Sequence, residues 1–432
     1  MDSAPRNGCG NFEQVMVVVQ ARTISTTSRR RFRQCVKARY MLLSLLMACA
    51  SPEPPTCDLP SSESVAIPAG LCIAKNFTSV SGDPDTLAAA VADLKRLGAK
   101  TLRSDVLWHK VEPEQGVWEW DRYDALVDAL EAADIELIAL LAYGNSWASS
   151  QTASSSMYPP DDPADFANFA AEVAKRYQGR VRRFEIWNEP NAGRFWMPGL
   201  SGDPLGWAPL VLETEAALRA VDPSVEVILG GTFFHNQLIP GTVQFLGEAV
   251  EAYPELLERA DAVAVHPYTL YPPRVPPESD EGKEIPLVEM LAQLREITGD
   301  LPVNISEFGW PAWGDLTQQD QAVFFERAAL LAMSQEVTDV CWYTVWDGED
   351  PENNPEAGFG LIDNTGVIKP VGEAFIALGE RMALAEGAAL VEGLPDGSYG
   401  VDLGAGGLAV WGEGEQCGVS LGEEPQWFDA PE

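Results

Sequence analysis

Histidine is nearly absent: three residues among 432. A His-rich metal centre is thereby excluded, and no Cys/His pair has metal-ligand spacing. Basic residues are also scarce, 29 Lys and Arg against 65 Asp and Glu, for a net charge of −36. Such a surface excludes nucleic acid and anionic lipid as charge-driven partners. It disfavours a strongly anionic polysaccharide unless the cleft is locally basic. The first strand-like segment, GLCIAKNF, is followed by no glycine-rich phosphate turn, which argues against a dinucleotide fold. The apolar run Met41–Ala50 is too short to span a bilayer, and no internal repeat is evident.

What is present is a hydrophobic fraction of 46%, ample for one large core with appendages. Residues 1–48 carry eight Lys/Arg and two acids, a basic head in an acidic chain. Followed by MLLSLLMACA, it reads as an export signal. The stretch before about residue 28 is long for such a region and is set aside. Leu46-Met47-Ala48-Cys49 resembles a bacterial lipobox, which implies lipidation of Cys49 and anchoring at an outer membrane or cell surface. Residues 49–64 are rich in Pro and Ser, as a tether would be. Of the other cysteines, Cys57 and Cys72 are candidates for a disulfide in an exported protein. Cys341, in an apolar run, reads as core, and Cys417 has no evident role.

From residue 65 to 384 strand and helix signals alternate. Strands are expected at Ile67–Ala74, Thr101–Leu107, Ile135–Tyr143, Val181–Asn188, Val225–Gly230, Ala262–Tyr268, Val303–Glu307 and Val340–Trp346. Amphipathic stretches lie between them, such as DTLAAAVADLKRL at Asp85–Leu97. Eight strands followed by eight helices predict an α/β fold, the TIM (β/α)8 barrel. Residues 385–432, rich in Gly, Asp and Glu, read as a small β appendage whose Trp411 and Trp427 pack against the barrel.

Glu189 and Glu307 end two buried strands, RRFEIWNEPN and LPVNISEFGW. A carboxyl group is costly there unless it has work to do. Barrel sites form at the C-terminal ends of the strands, where two carboxyls would supply the proton donor and nucleophile of glycoside cleavage. Alternation places Glu185, Trp187 and Glu189 on one face of the fourth strand, and Val303, Ile305 and Glu307 on one face of the seventh. His266 and Tyr268 share a face of the sixth, Trp342, Thr344 and Trp346 a face of the eighth, and Arg103 lies in the second. These residues converge if the barrel closes.

The phrases FEIWNEPNAGRFW, VAVHPY, ISEFGWP and FGLIDNTGVIKP resemble clan A of the retaining glycoside hydrolases, nearest family 39 and its bacterial endoglycosidase-like relatives. The resemblance covers about Leu71 to Met382. It implies Glu189 as general acid/base, Glu307 as nucleophile and Asn188 as a ligand of the sugar 2-hydroxyl. It implies that Arg103 keeps Glu307 ionised, that His266 and Tyr268 orient the carboxylates, and that Trp346 or Trp342 forms a platform under the sugar. Many clan members carry a His near the end of the third strand. Here the segment is ALLAYGNSW, so Tyr143 or Asn145 would serve. No metal or cofactor is implied; the expected partner is an oligo- or polysaccharide, cleaved internally by a monomer.

Other residues invite plainer readings. Glu185 suits a buried pair with Arg103 or Arg183. His109 and His235 suit loop packing or cleft lining. The acidic run Asp347–Glu356 reads as a solvated face, with calcium binding as the alternative. Trp108, Trp147, Trp196, Trp310 and Trp313, in loops after strands, suit sugar stacking and thus a long substrate.

Overall fold

The computed structural model describes residues 59–429, except 69, 152–154, 200, 235–240, 270–274 and 281–284. The export-signal region, Cys49, Cys57 and His235 lie outside the described residues. Eight parallel strands close into a barrel in chain order: β1 (Cys72–Ala74), β2 (Thr101–Leu107), β3 (Glu136–Ala142), β4 (Arg183–Ile186), β5 (Glu226–Phe233), β6 (Ala262–His266), β7 (Val303–Phe308) and β8 (Val337–Tyr343). The helices are α1 (Pro84–Arg96), α2 (Trp108–Val111), α3 (Asp121–Ala132), α4 (Pro163–Arg176), α5 (Pro204–Val221), α6 (Thr242–Ala252), α7 (Glu255–Arg259), α8 (Leu287–Thr298), α9 (Gln318–Met333) and α10 (Pro370–Met382). The eight expected helices are thus present, with the short α2 and α7 added.

Local chemistry sets the helix starts. Asp83, Asp162 and Asp203 each accept a backbone N–H at an N-cap and are followed by Pro in the first turn. Thr317 and Asp320 form a reciprocal capping box for α9. Each helix lays its apolar stripe on the barrel, so the largest core is the shell between strands and helices, with Trp108, Trp207 and Trp342 fully buried in it.

The barrel interior is filled differently. Cys72, Ala74, Ile138, Ile228, Ala262, Ala264 and Cys341 form a small inner core. Their modest volumes leave room for buried charge. At the N-terminal end Arg183 pairs with Asp339 and Glu226. One layer up, Glu185 is held by Arg103 rather than Arg183, settling that alternative.

Cys72 is disulfide-bonded to Cys341, not to Cys57, and Cys341 is not plain core. The two face each other in register where β1 closes on β8, a pairing that depends on barrel closure. Cys417 is also disulfide-bonded.

After α10 the chain forms β9 (Ala389–Leu390), β10 (Ser398–Asp402), β11 (Leu408–Gly412), β12 (Glu415–Gln416), β13 (Val419–Ser420) and β14 (Gln426–Phe428). Four of them make an antiparallel sheet ordered β14-β11-β10-β9, and β12 pairs with β13. Trp411 donates to Glu278, which Arg327 of α9 also holds. Trp427 donates to Glu326 and lies under Arg381, 3.8 Å from the ring centre. Both tryptophans therefore serve packing. The start of the described chain joins this sheet, with Ser61 bridged to Val391 and Val65 to Ala388.

Candidate active site

A cavity of about 520 Å³ opens at the C-terminal ends of the strands, with Glu189 and Glu307 in its wall. Its floor is built around Arg103, which is 2% exposed. Arg103 makes a two-point contact with Glu185 (2.7 and 2.7 Å), donates to Asn188 Oδ1 (2.9 Å) and bonds Glu307. Burial opposes ionisation of Glu185. The charge and hydrogen bonds of Arg103, with His266 and the Gly231 N–H, outweigh it and hold this carboxyl below the usual range. Glu185 and Glu307 in turn push Arg103 well above its ordinary value against its own burial.

The fourth strand delivers its residues by leaving the extended conformation. Alternation alone would turn Asn188 away from Glu189. The strand ends at Ile186, and both Trp187 (φ 70°) and Glu189 (φ 44°) adopt the left-handed region, an uncommon state that side chains usually avoid. Trp187 is thrown outward, where its indole donates to Phe195 O and packs on Trp196. Asn188 and Glu189 both reach the cleft, and the Glu189 N–H is caught by Gly231 O at 2.8 Å.

His266 Nδ1 lies 2.8 Å from Glu189, and its Nε2 lies 3.0 Å from Ser306 Oγ. Ser306 Oγ also reaches Glu185 Oε1 at 3.3 Å. With that hydroxyl donating to Glu185, Nε2 donates to Ser306 Oγ, and Nδ1 shares its hydrogen bond with Glu189. Tyr268 donates to Glu307 Oε2 at 3.3 Å, and burial, then Glu307, raises its phenol well above the ordinary value. One oxygen of Glu189, one of Glu307 and a ring nitrogen of His266 all lie within 4.8 Å of one another. The two carboxyl side chains remain open to the cavity, 11% and 17% exposed.

Gly231 makes this closeness possible. It sits in a register shift between β5 and β6, and its N–H donates to Glu185 at 2.9 Å. A Cβ here would lie 2.2 Å from His266 Nε2 and 2.8 Å from Ser306 Oγ. Gly231→Ala should displace His266 and lower kcat by about 10²-fold, the cost of misplacing a catalytic group by about an ångström. Steady-state kinetics beside a thermal melt checks this; unchanged kcat would show that the imidazole position is unimportant.

Several expected residues fall elsewhere. Trp342 is fully buried, donates to Phe359 O and packs on Phe308 and Phe325. Trp346 donates to Asp93 and packs on Phe77. Neither lines the cavity; Tyr343 does. The inward face of β8 carries Cys341 and Tyr343, one residue out of phase with the expected Trp342 and Trp346, and such a slip exchanges the two faces. Tyr143 lines the cavity as expected. Asn145 does not: it is buried and donates to Glu112 O at 2.7 Å. His109 and the five loop tryptophans are also absent from the described lining; Trp108, Trp196 and Trp310 are buried in the shell. The first acid of the Asp347 run is buried against Lys369 at 2.9 Å and accepts from Gly360 N, an occupation that counts against calcium there.

The sequence reading overlooked Asp105, which lines the cavity two residues beyond Arg103. Its signal was the alternation that put Arg103 inward. Burial raises its carboxyl to about 7; Arg103 opposes this, while Glu307 and Glu185 add to it. A carboxyl raised on folding contributes stability that is full below its unfolded value near 4 and is lost as pH rises through 7. Asp105→Asn should therefore melt higher than the parent at pH 8 and show a smaller change between pH 5 and pH 8. Equal pH dependence in both proteins would contradict this.

A closed eight-stranded barrel with carboxyls from its fourth and seventh strands, an Arg beneath them and a His–Tyr pair beside them defines a glycoside hydrolase of clan A. The chain belongs to the cellulase family, glycosyl hydrolase family 5, whose profile matches residues 69–349. It is 26% identical over 275 residues to a β-xylosidase of Geobacillus stearothermophilus, covering 57% of this chain. The match takes in 52% of the relative, so the chain spans about half the length of that curated protein. A family 39 glycoside hydrolase from Bacteroides cellulosilyticus WH2 superposes with a TM-score of 0.66 at 19% identity, covering 84% of this chain and 81% of that one. A monomeric β-xylosidase from Caulobacter crescentus CB15 gives 0.58 at 19% identity, covering 84% and 78%. These structural likenesses concern the fold.

Proposed function

We propose that this glycoside hydrolase cleaves an oligo- or polysaccharide with retention, by double displacement. The separation of Glu189 and Glu307 carries the reading. Oxygens within 4.8 Å leave no room for a water between carboxyl and sugar, which inversion needs at about 6.5 Å or more. Glu307, held by Arg103 and Tyr268, attacks the anomeric carbon. As the C–O bond breaks, Glu189 gives its proton to the departing oxygen. Glu189 then takes a proton from water, which attacks the same carbon and releases Glu307. Asn188, fixed by Arg103, faces the 2-hydroxyl, and Tyr343 replaces the expected tryptophans as the sugar platform.

Cleavage within a chain is the first reading, because six Tyr and Phe residues line the cavity, more apolar surface than one sugar ring requires. Release of a terminal residue is the second, favoured by the likeness to a β-xylosidase. A transglycosylase would use the same site with a sugar acceptor in place of water. A glycan-binding protein without turnover would have no use for the carboxyl pair. The proposal includes export of a monomer anchored through lipid on Cys49, supported by the basic head, the apolar run and the Pro/Ser-rich stretch that follows.

Proton NMR of the first-formed product should show the anomeric configuration of the substrate, and chromatography of product lengths separates internal from terminal cleavage. First-formed product of inverted configuration would sink the double-displacement reading.

A further inference from the structure

We infer that Lys75, Asn76 and Asp105 form the wall that reads adjacent hydroxyls of the sugar held against Glu307, and that this sugar is a neutral pyranose rather than a uronate or sulfated sugar. The inference rests on the glycosidase reading and adds to it the chemistry of the bound ring. All three residues line the cavity. They come from the ends of the paired strands β1 and β2, and β2 in turn pairs with β3, which carries no His at its end. Arg103 and Asp105 project to the same side of β2, and two residues of strand advance about 6–7 Å toward the mouth. Asp105 therefore stands one layer above the guanidinium that holds Glu307.

Asn76 Nδ2 donates to Asp105 Oδ2 at 2.9 Å. Among the described residues, no hydrogen bond reaches Asp105 Oδ1, and the Lys75 ammonium has neither an ion pair nor a hydrogen bond. Burial lowers the Lys75 ammonium while the nearby Asp105 charge raises it. A half-buried ammonium and a carboxyl oxygen that no described protein group uses are free to take a ligand in the cavity. Neighbouring sugar hydroxyls suit both: one oxygen accepts from the ammonium, and the next hydroxyl donates to the carboxyl.

The charge around the ring selects against an anion. Glu307 and Glu356 line the cavity, and Asp105 adds negative charge as pH rises through about 7. The Arg103 guanidinium is committed to protein carboxylates, and Arg194, also in the cavity lining, is exposed and lies over Phe195. The half-buried Lys75 and the exposed Arg194 stand against Glu307, Glu356 and Asp105. Asp105 interacts with Lys75 and Asn76 just after β1, Arg103 on its own strand, Glu185 from β4 and Glu307 from β7, and with the phenols of Tyr123, Tyr143 and Tyr343.

The test uses the full chain and a panel of 4-nitrophenyl glycosides, including a glucuronide. For the substrate turned over fastest, the parent, Asp105→Ala, Asp105→Asn and Lys75→Met are compared on it and on its monodeoxy forms. Asp105→Ala and Lys75→Met should each lower kcat/KM by about 10²-fold, and the parent should lose a similar factor on one monodeoxy substrate. Asp105→Ala should scarcely distinguish that analogue from the full sugar, because the reading group is gone. Asp105→Asn, of unchanged shape, shows whether loss follows the carboxyl or a local collapse. Variants equal to the parent, an equal loss on every substrate, or preference for the glucuronide would each overturn the inference. A parent inactive on the whole panel and on oligosaccharides overturns the glycosidase reading itself, and that result is seen in the parent alone.

Discussion

Glu307→Ala is expected to lower kcat by about 10⁴-fold or more, as loss of a covalent nucleophile does, with sugar binding retained. Glu189→Ala should behave differently. Its loss, about 10²–10⁴-fold, should be large for substrates whose leaving group needs a proton and small for dinitrophenyl glycosides. Azide separates the two roles. In Glu307→Ala the vacated space admits azide to the anomeric carbon, giving a glycosyl azide of inverted configuration. In Glu189→Ala azide attacks the glycosyl-enzyme, giving one of retained configuration. If the products were exchanged between the two variants, the roles assigned to the carboxyls would have to be exchanged as well.

The second large effect is expected at Arg103. This buried guanidinium bonds Glu185, Glu307 and Asn188 at once. Arg103→Met leaves Glu185 buried and unpaired, and breaking such a pair from one side costs about 3–5 kcal/mol. It should also reduce kcat by about 10³-fold, since one oxygen of the nucleophile and the 2-hydroxyl contact both lose their support. Arg103→Lys keeps the charge but not the fork, and should recover stability better than activity. The double variant Arg103→Met/Glu185→Gln should regain much of the lost stability and none of the activity. Denaturant titration beside kinetics checks both parts. If Arg103→Met alone unfolds like the parent, the buried triad does not support the site.

Much of the barrel was legible because its signals are local. Helical periodicity, Asp–Pro caps and apolar runs are written within a dozen residues, so the eight strands and eight helices fell close to their expected places. Glu189, Glu307, His266 and Tyr268 were legible because strand alternation or motif put each at or near a strand end, and Arg103 because it is the lone cation within its strand. The errors lie where structure depends on distant partners. The inward phase of β8 is decided by pairing with β1 and β7, and the sequence favoured the larger tryptophans over Tyr343. Loop tryptophans suggested sugar contacts, yet Trp108 and Trp196 satisfy their bulk against Phe169 and Trp187 in the shell. Asn145 follows the same logic, its amide spent on Glu112 O. That Asn188 and Glu189 reach the cleft together follows from two left-handed residues, which no propensity foretells. Asp105 went unnoticed because a lone acid in a strand carries no motif.

The join between the beginning and the end of the described chain bears on when the protein can fold. Leu390 N donates to Ser62 Oγ across 328 positions of sequence, beside the Ser61–Val391 and Val65–Ala388 bridges, and β1 closes the barrel only on β8. A chain made from its N-terminus first offers these partners at opposite ends of synthesis. Until β8 emerges, β1 has β2 on one side and an open edge on the other, the exposed kind of edge that invites wrong pairing. Barrel closure is therefore deferred until β8 has been made, and the join to Ser61 and Val65 until the C-terminal sheet follows it.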